Sequence, residues 1–115
     1  MSLRERVHAY YDAVDDGRVD DLLALFADDV VYERPGQSPI EGKAELAEFY
    51  REDRPLTDGT HEIETVAVDG DRAAVRGTFE GKQDGDPVTF GFADFHTFED
   101  GDIAERHTFT DRDAV

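Results

Sequence analysis

LFADDVVYERPG, residues 25–36, carries a change of structure within twelve positions. Leu25 and Phe26 close an apolar helical stretch, and Asp28 and Asp29 interrupt it. Val30 to Arg34 then reads as a short strand, stopped by Pro35 and Gly36, because proline and glycine punctuate both helical and strand periodicity. Alternation puts Tyr32 and Arg34 on one face of that strand, lining one wall, with Arg34 nearer the rim. A guanidinium cannot serve as a general base, but it binds a carboxylate or steadies developing negative charge. Arg34 is therefore either an anion-binding group or the last polar residue before a turn.

Upstream, Leu3, Val7, Tyr10 and Val14 recur at four- and three-residue steps, with Tyr11 beside them. This predicts a helix over 3–16, capped by Ser2 with Glu5 three residues on and ended by Gly17. A short second helix is expected from about Asp20 through Phe26, and a third over 43–52. After Pro55 the pattern shifts to strands at 61–68, 72–80, 88–98 and 103–110, with tight turns at Asp69-Gly70-Asp71, 81–86 and 99–102. Helices followed by an antiparallel meander describe one α+β domain over residues 1–115, with the helices on one face of a curved sheet.

The third long strand places Phe90, Phe92, Asp94, His96 and Phe98 on one face, and Gly91, Ala93, Phe95 and Thr97 on the other. Both faces carry apolar groups. Helices cover one, and a second copy of the chain is the economical cover for the other, so a homodimer through the outer sheet face is expected. Asp94, between Phe92 and His96, must be solvated, paired or hydrogen-bonded, because an isolated buried charge costs several kcal/mol or more. In an apolar cavity its carboxyl would stay protonated and donate a hydrogen bond; at a solvent-filled mouth or beside an arginine it would not.

The chain has 29 acids against 12 bases, a formal net charge of −17, and only two lysines. The acids are spread along its length. Such a surface repels itself in dilute salt and is relieved where the Debye length falls to ~3 Å, near 1 M, so a halophilic cytoplasm is the expected setting. With no basic patch to displace counterions, neither nucleic acid nor an anionic membrane is expected as a partner. Cysteine is absent, which excludes disulfide and thiolate chemistry. No apolar run approaches the ~20 residues that span a bilayer, and no signal-peptide pattern opens the chain. His8, His61, His96 and His107 show no HExxH spacing, so no metal or other cofactor is expected. His96 and His107 are the histidines read as proton carriers.

The helix ending in Asp-Gly, the LFADDVVY segment, the Pro-Gly loop, the IEG-K helix start and the closing FADFHTFEDGDIAERHTF resemble the nuclear transport factor 2-like superfamily, in its SnoaL-like and ketosteroid-isomerase-like branch. The resemblance implies a cone: three N-terminal helices packed in the concave face of a strongly curved mixed β-sheet, with an internal cavity and dimerisation through the outer face. It places the isomerase oxyanion tyrosine on Tyr10 and the protonated aspartic acid on Asp94. The general-base aspartate falls on Arg34. The cyclases of this fold imply acid–base work by an aspartate and histidines, here Asp94, His96 and His107. The implied ligand is a hydrophobic or weakly acidic small molecule, met by Arg34, Tyr32 and Phe92. The implied function is proton transfer on a small carbonyl compound by an isomerase, cyclase or dehydratase. The alternative is a noncatalytic small-molecule binding protein of the same fold.

Overall fold

A computed structural model describes residues 1–112 and 115. Helix α1 (Leu3–Asp16) starts with a capping box: Ser2 Oγ accepts from the Glu5 backbone N–H at 3.1 Å, and Glu5 Oε1 accepts from the Ser2 N–H at 2.9 Å. Gly17 ends it at φ 70°, a left-handed conformation that costs glycine nothing sterically. Its buried face holds Val7, Tyr10, Tyr11 and Ala13. Helix α2 is only Val19–Leu23, and β1 (Phe26–Glu33) begins earlier than the sequence pattern suggests. Phe26 leaves the helix because the Ile103 backbone N–H bonds Leu25 O at 2.9 Å and Phe26 registers with Ile103, so the sheet captures the segment. A two-residue β2 (Ile40–Glu41) pairs with β1. Helix α3 (Lys43–Glu48) widens into a π-helical turn, Phe49–Asp53, closed by the Arg54 N–H on Phe49 O at 2.7 Å.

Four long strands follow: β3 (Leu56–Asp69), β4 (Arg72–Gln83), β5 (Asp86–Glu99) and β6 (Asp102–Thr110). The β4–β5 and β5–β6 hairpins turn on Asp84-Gly85 and Asp100-Gly101, each with both residues at positive φ, the requirement of a type I′ turn. At Gly77 a Cβ would stand 2.2 Å from the Glu62 carbonyl oxygen and 2.8 Å from Phe92 Cζ, so only glycine lets β3 and the Phe92 ring close over β4 there.

The six strands form one mixed sheet in the order β2-β1-β6-β5-β4-β3, with β1 and β6 parallel and every other pair antiparallel. This corrects the expected cone. The sheet is open and is not strongly curved, with β2 and β3 as separate edges. Closure needs two edge strands long enough to pair, and β2 offers only two residues. The inner face, under α1 and the α3 segment, buries Val30, Tyr32, Val75, Phe79, Phe90, Phe92 and Ile103. The outer face leaves Phe95 and Phe109 exposed, 51% and 48%, with their rings 5.7 Å apart. Among the described residues no helix is long and apolar enough to cross a membrane.

Candidate functional site

Strict alternation along β5 turns Phe90, Phe92, Asp94, His96 and Phe98 inward, and Asp94 ends 1% exposed beneath α1. Register decides who meets it. Thr108 lies directly opposite Asp94 on β6, and Arg106 lies opposite His96. Thr108 Oγ1 donates to Asp94 Oδ1 at 2.6 Å, and Arg106 Nη2 donates to Oδ2 at 2.8 Å. The Tyr11 hydroxyl donates to the same Oδ2. Since the Thr108 proton is committed to Asp94, Thr108 accepts from Tyr32, whose hydroxyl is 3.1 Å away. Both carboxylate oxygens are thus occupied by donors.

That coordination sets the charge. Burial alone would raise the Asp94 carboxyl, but Arg106, His96, Thr108 and Tyr11 together hold it below the ordinary carboxylate value, so Asp94 is an anion. Burial works against the Arg106 cation too; Asp94 beside it outweighs this and keeps its pKa well above normal. The Arg106 guanidinium is sandwiched between the rings of Tyr10 and Tyr32, at 4.3 and 4.5 Å from their centroids. Burial pushes the Tyr10 and Tyr11 phenols well above their usual range, and Tyr50, paired with Tyr10 at 2.5 Å, up to about 12. All three are neutral at any physiological pH.

A cavity of about 30 Å³ opens beside this network. It is large enough for one or two waters and far below a typical ligand pocket, so a ligand must displace something to enter. Tyr10, Tyr32, Arg34, Phe92 and Asp94 all line it. Arg34 lies over the Phe49 ring at 4.0 Å and bonds the Val115 carbonyl at 3.2 Å, which puts it at the half-buried mouth. Arg54 lines the wall as well. Among the described residues, Arg34 Nε and Arg106 Nε and Nη1 are buried without an acceptor. Three guanidiniums and one side-chain carboxylate therefore surround the cavity, with the Val115 main-chain oxygen on Arg34, in a chain of net charge −17.

The two histidines named from the sequence stand elsewhere. His96 is 1% exposed behind the network, with Nε2 3.4 Å from the Tyr11 oxygen and Nδ1 unpartnered. Burial and the neighbouring Arg106 bring its pKa down to about 3, so it is neutral at pH 7 and takes up no second proton in the neutral range. His107 is on the outer face, 3.2 Å from Glu33 and stacked on Phe109 at 4.2 Å, with the sheet between it and Asp94. The tyrosine hydroxyl that donates to Asp94 is that of Tyr11, while that of Tyr10 pairs with Tyr50.

Arg106, Thr108 and Tyr11 escaped the sequence pattern, and so did the contact of Asp15 with His61, of which His61 lines the same cavity. The reason on β6 is a bulge. Thr97 registers with Glu105 and Phe98 with Ile103, which leaves Ala104 as an extra residue. The bulge turns Ile103 and Arg106, three apart, to the same inner face. Among the described residues no three His, Asp or Glu side chains converge to hold a metal ion.

The model of the SnoaL-like domain matches residues 7–106. Among solved structures, a candidate polyketide cyclase from Sinorhizobium meliloti is 30% identical with a TM-score of 0.75, over 91% of this chain and 94% of that one. A candidate ketosteroid isomerase from Kribbella flavida is 26% identical with a TM-score of 0.82, over 96% and 78%. An LEH-like epoxide hydrolase of M. tuberculosis shares 24% identity over 93% and 80%, with a TM-score of 0.82, a likeness of fold alone.

Proposed function

Because the chain belongs to the SnoaL-like domain family, we propose that it uses its cavity for a small, weakly acidic carbonyl compound. In this reading it transfers a proton on that compound in the manner of an isomerase, cyclase or dehydratase. The observation that carries the proposal is the excess of guanidinium around the cavity, with three buried guanidinium nitrogens lacking an acceptor among the described residues. Each such group left unpaired costs about 1–3 kcal/mol, and a carboxylate or enolate oxygen answers that need. Arg34 then anchors the anion, Arg106 with its Tyr10 and Tyr32 rings shapes the positive wall, and Asp94 fixes Arg106 in place.

Noncatalytic binding of the same ligand is favoured by one specific feature: both oxygens of Asp94 are already occupied. Epoxide opening is less well supported, since Asp94 is the only side-chain carboxylate among the described residues lining the cavity. The exposed Phe95 and Phe109 on the outer face support a homodimer through that face, and the acid-rich composition supports a salt-rich setting.

The test is proton NMR in D₂O with 2 M KCl, using 2-oxobutyrate and its uncharged counterpart 2-butanone. Saturable binding of 2-oxobutyrate over 2-butanone, with catalysed loss of its C3 protons and weakening by Arg34→Gln, is the expected result. Binding without exchange selects the noncatalytic reading. Neither binding nor exchange refutes both.

A further inference from the structure

At the end of α1 a second polar pair meets the cavity wall. Asp15 Oδ2 accepts the backbone N–H of His61 at 2.9 Å, and Asp15 Oδ1 lies 2.6 Å from the His61 ring Nδ1. One carboxylate therefore grips both the strand β3 and the imidazole it carries. A carboxylate anion only accepts hydrogen bonds, so Nδ1 must bear the proton and the lone pair is on Nε2. No described residue bonds Nε2. The ring is wedged between Phe79 and Phe92, at centroid distances of 4.9 and 5.3 Å, with Tyr11 at 5.3 Å. The side chain is 7% exposed and lines the cavity shared with Arg34, Asp94 and Arg106.

None of the other three histidines is so placed. His96 lies behind the Asp94 network, His107 is on the outer face, and His8 is exposed on α1. Asp94 has no free oxygen. We propose that Asp15 and His61 form the proton-transferring pair of this cavity, with His61 Nε2 as the catalytic base and Asp15 as its positioning residue. The proposal rests on the proton-transfer reading above. In the step, the C–H bond next to the substrate carbonyl breaks and its electron pair forms the enolate C=C. The carbonyl π pair moves to oxygen, facing the guanidinium wall, and the proton becomes the Nε2–H of an imidazolium held by Asp15. Return of that proton to a different carbon completes an isomerisation, and its delivery to a departing hydroxyl completes a dehydration.

The groups facing His61 agree with this task. Burial lowers its pKa, Asp15 from α1 opposes that, Arg54 after the π-turn adds to it, and Asp94 from β5 opposes it again. Phe79 on β4 contributes no charge. The net shift is downward, so the ring is neutral and able to accept at pH 7.

The experiment adds His61→Gln and Asp15→Asn to the 2-oxobutyrate exchange assay, beside a ¹⁵N spectrum of the wild-type imidazoles at pH 7. We expect wild type to exchange with a rate that falls below an apparent pKa. His61→Gln should slow exchange roughly 100-fold or more while 2-oxobutyrate still binds. Asp15→Asn should slow it about tenfold and move that apparent pKa down, since an anion beside the ring is gone. Exchange by His61→Gln within about threefold of wild type overturns the pair's role and leaves the cavity reading standing. No exchange by wild type overturns the pair's role together with the proton-transfer reading. Should His61→Gln not fold, the spectrum decides: a protonated Nε2 with bare Nδ1 in wild type overturns the proposal.

Discussion

Lowering the pH from 7 to 5 puts a proton on His96 in the unfolded chain and not in the folded one. The folded value is about 3, against 6.5 for a free imidazole. A depressed folded pKa means that the group's full contribution to stability is present above pH 6.5 and drains away as the pH falls towards 3. At pH 5 proton uptake favours the unfolded chain by about 2 kcal/mol, and at pH 7 by about 0.2 kcal/mol. The drop attributable to His96 is therefore about 2 kcal/mol, a large share of a typical 5–15 kcal/mol total. Two other effects run alongside. Acidification also neutralises part of the −17 charge, which stabilises the fold, and His61 shifts in the same direction as His96. Asp94, with its folded pKa below 3.8, keeps its contribution at pH 5 and loses it only in stronger acid.

His96→Phe isolates the term, because phenylalanine fits the ring environment of Tyr10, Tyr11 and Phe98 and cannot titrate. Urea unfolding followed by circular dichroism in 2 M KCl, at pH 7 and pH 5, gives a stability loss for each protein. Wild type should lose about 2 kcal/mol more than the variant, with the surface-charge and His61 terms cancelling. Equal losses, within about 0.5 kcal/mol, would mean that folded His96 takes a proton easily, and the account of the Asp94 network would fail.

Asp94→Asn leaves the Arg106 cation buried without its counterion and should cost about 3–5 kcal/mol, whereas replacing both Asp94 and Arg106 by leucine should restore much of the loss. Urea titrations measure both, and a single variant as stable as wild type contradicts the ion-pair assignment. Phe95→Asp puts a charge into the outer apolar pair through which a homodimer is proposed, so light scattering should find a dimeric wild type and a monomeric variant; a variant still dimeric locates the contact elsewhere, and a monomeric wild type refutes the dimer. Raising KCl from 0.1 to 2 M should raise the melting temperature, since the acidic surface then repels itself over a shorter range. A melting temperature that falls with salt shows that ion pairs outweigh that repulsion.

Much of the architecture is legible because its signals are local. Ser2 and Glu5 mark the start of α1, Asp84-Gly85 and Asp100-Gly101 mark hairpins, and the run from Phe90 to Phe98 displays its buried face by alternation. The site is less legible because its partners meet across the fold. Tyr10 and Tyr11 are adjacent on a helix and both become buried, so periodicity could not tell which one reaches Asp94. Asp15 and His61 lie 46 residues apart and meet only when β3 docks on the end of α1. Curvature depends on edge lengths and bulges that no single segment announces, and the strongly curved cone proved to be an open sheet.

The extra residue at Ala104 acts on β6 much as a frame marker acts on a message. Upstream of it Ile103 faces the core; downstream of it Arg106 and Thr108 do, and Glu105, His107 and Phe109 face out. Deleting that one small residue would leave regular pairing with Arg106 still inward, whereas a β6 that kept Ala104 in strict alternation, without the bulge, would be inverted beyond it. In that unbulged strand Arg106, the counterion of Asp94, would move to the solvent side, and a carboxylate, an imidazole and a phenyl ring would turn into the cavity. In chains of this architecture, a one-residue gap or insertion in the last strand that no bulge absorbs can therefore change chemistry more than several substitutions in the cavity wall.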